Sequence, residues 1–238
     1  DSLFRRERPQ KGRLRQFSQF GIEALGSSFP EQDAEVISIA YNIYQSLGIK
    51  NIKLKINTIG ASDIRKKYLQ DLRSSLRNYS KELSLTDQNR LKHNALRLFD
   101  SKDPKCEKIL SENAPFIFDY LDESDLDYFK QVLDILDYMK IPYTHDKKLV
   151  RGLDYYTRTT FEIKSQSLGS QDALCGGGRY DGLVEQLGGS PTPAVGFAGG
   201  MERIIMSLDK QHKESAQSID IFMILMGSEA IQLGMTIA

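Results

Sequence analysis

A long charged stretch, Ser62 to Glu112, favours helix and is poor in glycine, while the sequence on both sides breaks into short strand-like runs punctuated by glycine. That order (strands, then helices, then strands) limits the fold more than any other feature. A βαβ repeat would alternate the two kinds of element, whereas segregated runs assemble as α+β with an antiparallel sheet. Residues 3–25 read as a β-hairpin turned by Arg8–Gly12, R-P-Q-K-G. Residues 29–47 read as a helix: Pro30 and the acidic Glu31 and Asp33 open it, and Gly48 stops it. Its apolar face is Val36, Ile37, Ala40, Tyr41, Tyr44 and Leu47. Lys50–Ile56 alternates as a strand. Asp125–Lys140 gives another helix, with Leu126, Phe129, Val132, Leu133, Leu136 and Met139 inward. Strands with glycine-rich turns return from Tyr143 to Phe197, and Glu202–Leu208 starts a helix. Asp209–Ser218 is a polar linker. Beyond it, Ile219–Gly227 reads as a buried strand and Ser228–Ala238 as a helix too short to bury a face, so the chain reads as an internal stretch of a longer one.

Composition narrows function by exclusion. The 32 basic and 32 acidic residues cancel, leaving no global field to draw the chain to nucleic acid. The two cysteines, Cys106 and Cys175, lie far apart with no C-x-x-C pair, which indicates neither a zinc knuckle nor a disulfide framework and points to a reducing compartment. No apolar run approaches a membrane span and the first residues hold no signal-peptide core, so the expected location is the cytoplasm. His93, His145 and His212 show no partner spacing, and the acidic run Asp119–Asp127 spreads around a helix entry. No metal site is expected from protein side chains alone.

Chemistry concentrates in three places. Alternation along the hairpin puts Arg13, Arg15, Phe17, Gln19 and Glu23 on one face, joined by Arg5 and Glu7 from the first arm. This is either a solvated face or a nucleotide platform: a ring to stack, a carboxylate for an exocyclic amine, and guanidinium forks for phosphate oxygens. Neither G-x-x-x-x-G-K-[ST] nor G-x-G-x-x-G is present, so a bound nucleotide would rely on arginines rather than a phosphate-cradling loop. Cys175–Leu183 (C-G-G-G-R-Y-D-G-L) and Ala194–Arg203 (A-V-G-F-A-G-G-M-E-R) put many glycines in or beside strands, where glycine costs stability unless a backbone or ligand must approach closely; tight turns alone are the alternative. Arg203 falls in the first turn of a helix, where a cation opposes the dipole unless an anion is near. Finally, Arg151–Tyr156 (R-G-L-D-Y-Y) reads as a short strand carrying an arginine, a glycine and adjacent tyrosines.

Three blocks together resemble one family. Phe4–Glu23 is similar to motif 2 of class II aminoacyl-tRNA synthetases, and Gly196–Arg203 (G-F-A-G-G-M-E-R) to motif 3. Leu149–Glu162 (L-V-R-G-L-D-Y-Y-T-R-T-T-F-E), with C-G-G-G-R-Y-D-G-L, resembles the signature of the histidyl-tRNA synthetases. The resemblance implies a six-stranded antiparallel sheet flanked by helices, with a helical insertion. It implies a two-step reaction: histidine attacks the α-phosphate of ATP, supplied with Mg2+, and the histidyl group then passes to tRNA(His). By that resemblance Arg5 and Arg151 flank the α-phosphate, and Arg5 also meets the histidine carboxylate. Glu7 reads the adenine amine, Phe17 stacks on the ring, Arg13 reaches the β- or γ-phosphate, and Arg203 lies over the adenine. Gln19 holds the histidine amine and carboxylate region, Glu23 and Tyr156 contact the imidazole, and Tyr155 and Tyr180 line that pocket. Residues 1–60 and 149–208 are then catalytic core, 61–148 the mostly helical insertion and return, 209–218 a linker, and 219–238 the start of an anticodon-binding domain. The resemblance also implies a homodimer, through a motif 1 segment that is not in this chain. A non-catalytic histidine-sensing paralogue, like the regulatory subunit of ATP phosphoribosyltransferase, is the alternative. A regulatory domain of a stress kinase and a nucleic-acid-binding module fit less well.

Overall fold

The computed structural model describes residues 2–6, 9, 10, 12–153, 155–165, 172–208, 223, 224 and 226–237. Contacts divide the chain into two compact units, 1–208 and 209–238. In the second, helix α8 covers Ser228–Ile237, while most of the expected strand 219–227 and all of the linker 209–218 lie outside the described residues.

The first unit is built on a seven-stranded sheet: β1 (Ser2–Phe4), β2 (Gln16–Leu25), β3 (Ile52–Thr58), β4 (Tyr143–His145), β5 (Thr157–Ser165), β6 (Ala173–Arg179) and β7 (Ala194–Gly200). The spatial order is β1-β2-β7-β6-β5-β3-β4. Every pairing is antiparallel except β3 with β4, which is parallel. The sheet therefore has one strand more than the six the resemblance implied, and is mixed. β4 can run parallel because the insertion and a long helix separate it from β3, which leaves room for a crossover.

Helices α1 (Pro30–Ser46) and α5 (Glu123–Tyr138) cover one face of this sheet. Val36, Ile37, Ala40 and Tyr44 of α1 and Phe129, Val132 and Leu136 of α5 are buried against Leu54, Ile56, Phe161, Ile163, Val195 and Phe197. Three residues expected inward are exposed: Leu47, Leu126 and Met139. Leu47 and Met139 are the C-caps of α1 and α5 and lie past the last full turn. The inward face of α5 is set instead by Asp125, whose carboxylate accepts the Ala61 N–H at 3.0 Å and pairs with Arg158 at 3.4 Å, and this turns Leu126 outward.

The insertion folds as α2 (Ser62–Leu76), α3 (Leu85–His93) and α4 (Pro104–Asn113), joined by 3-10 turns. Ser84 caps α3 by accepting the Asp87 N–H, and Asp103 caps α4 by accepting that of Lys105. It has its own core of Tyr68, Leu72, Leu76, Leu96, Leu98 and Cys106, and Tyr156 belongs to that core.

One local expectation is corrected and one is settled. Gly176, Gly177 and Gly178 lie within β6 and Gly196, Gly199 and Gly200 within β7, while Gly182 sits in the turn after β6. The described residues of R-G-L-D-Y-Y form a loop and turn, and the strand starts at Thr157. Among the described residues no ladder partner reaches that segment. Asn57 Nδ2 donates to the Leu149 carbonyl at 2.9 Å, and a bulge at Arg158, with φ +49°, shifts the register where β5 begins.

Candidate active site

Side chains along a strand alternate between faces, so the register fixes what each face carries. The face away from α1 and α5 receives Gln19, Gly21 and Glu23 from β2, opposite Gly200, Ala198 and Gly196 of β7. Next come Gly176 and Gly178 of β6, then Glu162 and Thr160 of β5, then Lys55 and Asn57 of β3. The middle of this face is almost bare of side chains. Polar groups wall it on both sides.

A cavity of about 200 Å³ opens on that floor. Arg5, Phe17, Gln19, Arg151, Glu162, Gly176, Glu202 and Arg203 are among its lining residues. The structure thus brings together Arg5, Phe17, Gln19, Arg151 and Arg203, residues that the sequence spreads over nearly two hundred positions. Arg5 enters from the β1–β2 side. Its Nε donates to the Leu14 carbonyl at 2.9 Å and its guanidinium stacks 3.8 Å above the Phe17 ring. Arg151 enters from the β5–β6 side, where Nη1 donates to Glu162 Oε1 at 3.1 Å. Arg203, in the first turn of α7 (Met201–Ser207), donates to the Gly12 carbonyl at 2.7 Å and the Ala173 carbonyl at 2.5 Å. It thereby ties the hairpin tip to β6. Burial, with Arg5 and Arg13 nearby, holds the Arg203 pKa below its ordinary value. Arg13 faces a second hollow beside Glu162 and Asp172, shared with Arg90 and Arg97 of the insertion. Glu7 lies outside the described residues.

Glu23, Tyr155, Tyr156 and Tyr180 gather separately, along the same face. The Tyr180 hydroxyl donates to Glu23 Oε2 in a short hydrogen bond. The Tyr155 ring lies 4.7 Å from Tyr156 and 5.7 Å from Tyr180. Burial, and then the Glu23 carboxylate, push the Tyr180 pKa above the usual phenol value, so the hydroxyl stays a donor. A Cβ at Gly196 would overlap the Glu23 carboxylate as placed and would also meet the Ile22 backbone carbonyl, which cannot swing away.

Sequence reasoning assigned no role to Glu162, Glu202 or the pair Asp33–Arg179. Glu202 Oε1 accepts the Ser18 N–H at 2.7 Å, which fixes β2 against α7. The signal for Glu162 was present: in T-F-E-I-K the apolar Phe161 and Ile163 point to the core, so Glu162 and Lys164 must face the site.

The model of the family described as histidyl-tRNA synthetase matches residues 1–204. The chain belongs to the histidyl-tRNA synthetase family. It is 48% identical over 237 residues to the histidine--tRNA ligase of Synechococcus sp. (strain JA-3-3Ab), covering 99% of this chain and 56% of that protein. The corresponding ligase of Picosynechococcus sp. is 46% identical over 228 residues, covering 96% and 53%. The chain thus spans about half the length of these curated relatives. The structure of apo Staphylococcus aureus histidyl-tRNA synthetase superposes with a TM-score of 0.67 at 38% identity, over 94% of this chain and 55% of that one. A Bacillus halodurans protein described as an ATP phosphoribosyltransferase regulatory subunit/histidyl-tRNA synthetase superposes with a TM-score of 0.57 at 22% identity, over 88% and 57%, which shows a shared fold alone. Among the described residues no helix is long and apolar enough to cross a membrane.

Proposed function

We propose that the protein carrying this chain activates histidine with ATP and passes the histidyl group to tRNA(His). The observation that carries this reading is the gathering of Arg5, Arg151 and Arg203 around one cavity on a glycine-floored sheet face. In the first step a histidine carboxylate oxygen attacks the α-phosphorus, the bond to the bridging oxygen breaks, and pyrophosphate leaves. Such a displacement asks little covalent help of the protein and much stabilisation of charge spread over phosphate oxygens. Arg5 and Arg151 supply that charge from two sides. Phe17 stacks on the adenine once Arg5 gives up the ring, Glu7 accepts from the adenine amine, and Arg203 covers the base from the opposite side. Arg13 takes the β- or γ-phosphate. Gln19 holds the amino-acid backbone, while Glu23 and Tyr156, with Tyr155 and Tyr180, read the imidazole.

ATP would bring Mg2+ on its own phosphates. Among the described residues no group of three or more His, Cys, Asp or Glu is placed to hold a metal ion, and Glu162 and Glu202 are the carboxylates at the cavity. Of the two, Glu162 is taken up by Arg151 and Lys164, so Glu202 is the one that fits a role as partner of a nucleotide-borne ion, and neither forms a closed metal site. The ion would neutralise phosphate charge. A homodimer, and action in the cytoplasm where translation runs, belong to the same reading. A histidine sensor would have little use for three arginines at one cavity.

Histidine-dependent ATP–pyrophosphate exchange on the full-length gene product tests the reading. Arg151→Ala should lower the exchange rate by roughly 100- to 1000-fold, the scale seen when one transition-state charge contact is removed, with thermal unfolding little changed. Full exchange in that variant would remove Arg151 from the chemistry. Histidine binding without exchange in the wild type would favour the sensor.

A further inference from the structure

We infer that Glu162 and Gly176 are positioning residues for Arg151, and that together they set the rate of adenylate formation. The inference rests on the reading above, that Arg151 stabilises charge on the α-phosphate. Arg151 stands in the loop before β5, where no strand ladder holds its backbone. Its head is held in two other ways. Glu162 Oε1 accepts from Nη1 at 3.1 Å, and the guanidinium lies across Gly176, where a Cβ would overlap Cζ and both terminal nitrogens. Glu162 and Gly176 are direct partners across the β5–β6 ladder. One strand supplies the carboxylate that aims the arginine, and its neighbour leaves the space in which the arginine lies.

Glu162 is itself held. Lys164 Nζ sits 3.3 Å from its other oxygen and 3.2 Å from Asp172. Among the described residues the pair between Glu162 and Arg151 runs through Nη1 alone, rather than as a two-pronged contact. The arginine is therefore oriented with Nη2 outside that pair for a phosphate oxygen. Geometry of this kind matters for rate, since misplacing a reacting or stabilising group by ~1 Å can cost ~100-fold.

The test is a double-mutant cycle on the full-length product, read by histidine-dependent pyrophosphate exchange. Glu162→Gln preserves shape and removes the charge; Gly176→Ala fills the space under Arg151. Each should lower kcat by roughly 10- to 100-fold and leave KM for histidine unchanged, the pattern of a contact that acts in the transition state. In an Arg151→Ala background both effects should vanish, because nothing is left to position. If they instead multiply with the Arg151→Ala loss, Glu162 and Gly176 act independently and the inference is overturned while the role of Arg151 stands. If Arg151→Ala costs nothing, both readings fall. Should Gly176→Ala not fold, the near-isosteric Glu162→Gln decides the matter alone.

Discussion

Arg179 has no exposed surface, yet all three of its guanidinium nitrogens find acceptors. Nε and Nη2 reach Asp33 Oδ1 at 2.9 and 2.6 Å, Nη1 reaches the Ser27 carbonyl and Asp181, and Nη2 also reaches the Phe29 carbonyl. Tyr128 donates to the other Asp33 oxygen at 3.1 Å. The arginine, at the end of the strand that carries Gly176 and Gly178, thus ties β6 to the entry of α1 and, through Asp33 and Tyr128, to α5. Arg179→Leu would strand the Asp33 carboxylate in the core. Breaking a buried pair from one side costs about 3–5 kcal/mol, so the urea midpoint should fall sharply. The Asp33→Leu, Arg179→Leu double variant should be less destabilised than the sum of the two singles, because it buries no lone charge. Simple additivity in that cycle would mean the pair does not act as a unit. Lysine should not substitute, since one ammonium cannot reproduce the planar fork.

At the level of elements, β4 carries a proton-linked contact. His145 packs against the rings of Phe118 and Phe129, at 4.9 and 5.1 Å, and its Nε2 lies 3.3 Å from Asn57 Oδ1. Asn57 Nδ2 donates to the Leu149 carbonyl, so Oδ1 is the acceptor and the Nε2–H tautomer fits. Burial, with Lys147 close by, lowers the His145 pKa from the ordinary 6.5, and Asp146 opposes this only in part. The unfolded chain then binds the proton more readily than the folded one. Stability contributed by neutral His145 is present above 6.5 and is lost as pH falls below 6.5 toward the folded value, levelling off beneath it. Urea unfolding followed against pH should show that slope in the wild type and a shallower one in His145→Gln; parallel curves would refute the linkage. This contact was not legible in the sequence, where His145 has no partner at helical or strand spacing. What was legible followed a short-range period: the hairpin, the two covering helices, and the polar hairpin face with Arg5, Phe17 and Gln19. What was missed depends on pairing between distant strands. The loop character of the described residues of R-G-L-D-Y-Y goes with the lack of a ladder partner beside them. Likewise, which side chains need the space was hidden: a Cβ on Gly176 would meet Arg151, and one on Gly196 would meet Glu23. The cross-strand match of Glu162 with Gly176 shows only once β5 and β6 are in register.

For the first unit as a whole, the sheet divides two tasks between its faces: α1 and α5 bury one, and the other keeps glycine at its centre and cations at its walls. A chain with no net charge thereby concentrates Arg5, Arg151 and Arg203 at one cavity, with Arg13 beside it. Burial first, and then repulsion from Arg5 and Arg13, lower the Arg203 pKa. An anionic ligand would relieve that repulsion, so its binding should both stabilise the fold and depend on salt. A ligand at ~100 times its Kd adds about 2.7 kcal/mol to the stability of the state it binds. The unfolding temperature of the full-length product should therefore rise with ATP alone. Screening lengths shrink from about 10 Å in 0.1 M salt to about 3 Å in 1 M, and added anions compete for the same guanidinium groups, so the ATP-induced rise should shrink as sodium chloride is raised across that range. Arg13→Ala, which removes one charge at the rim, should give a smaller rise in low salt and a weaker dependence on salt. An ATP-induced rise that is equal in low and high salt would mean that stacking on Phe17, rather than the arginines, holds the nucleotide, and the charge-based account of this face would have to be abandoned.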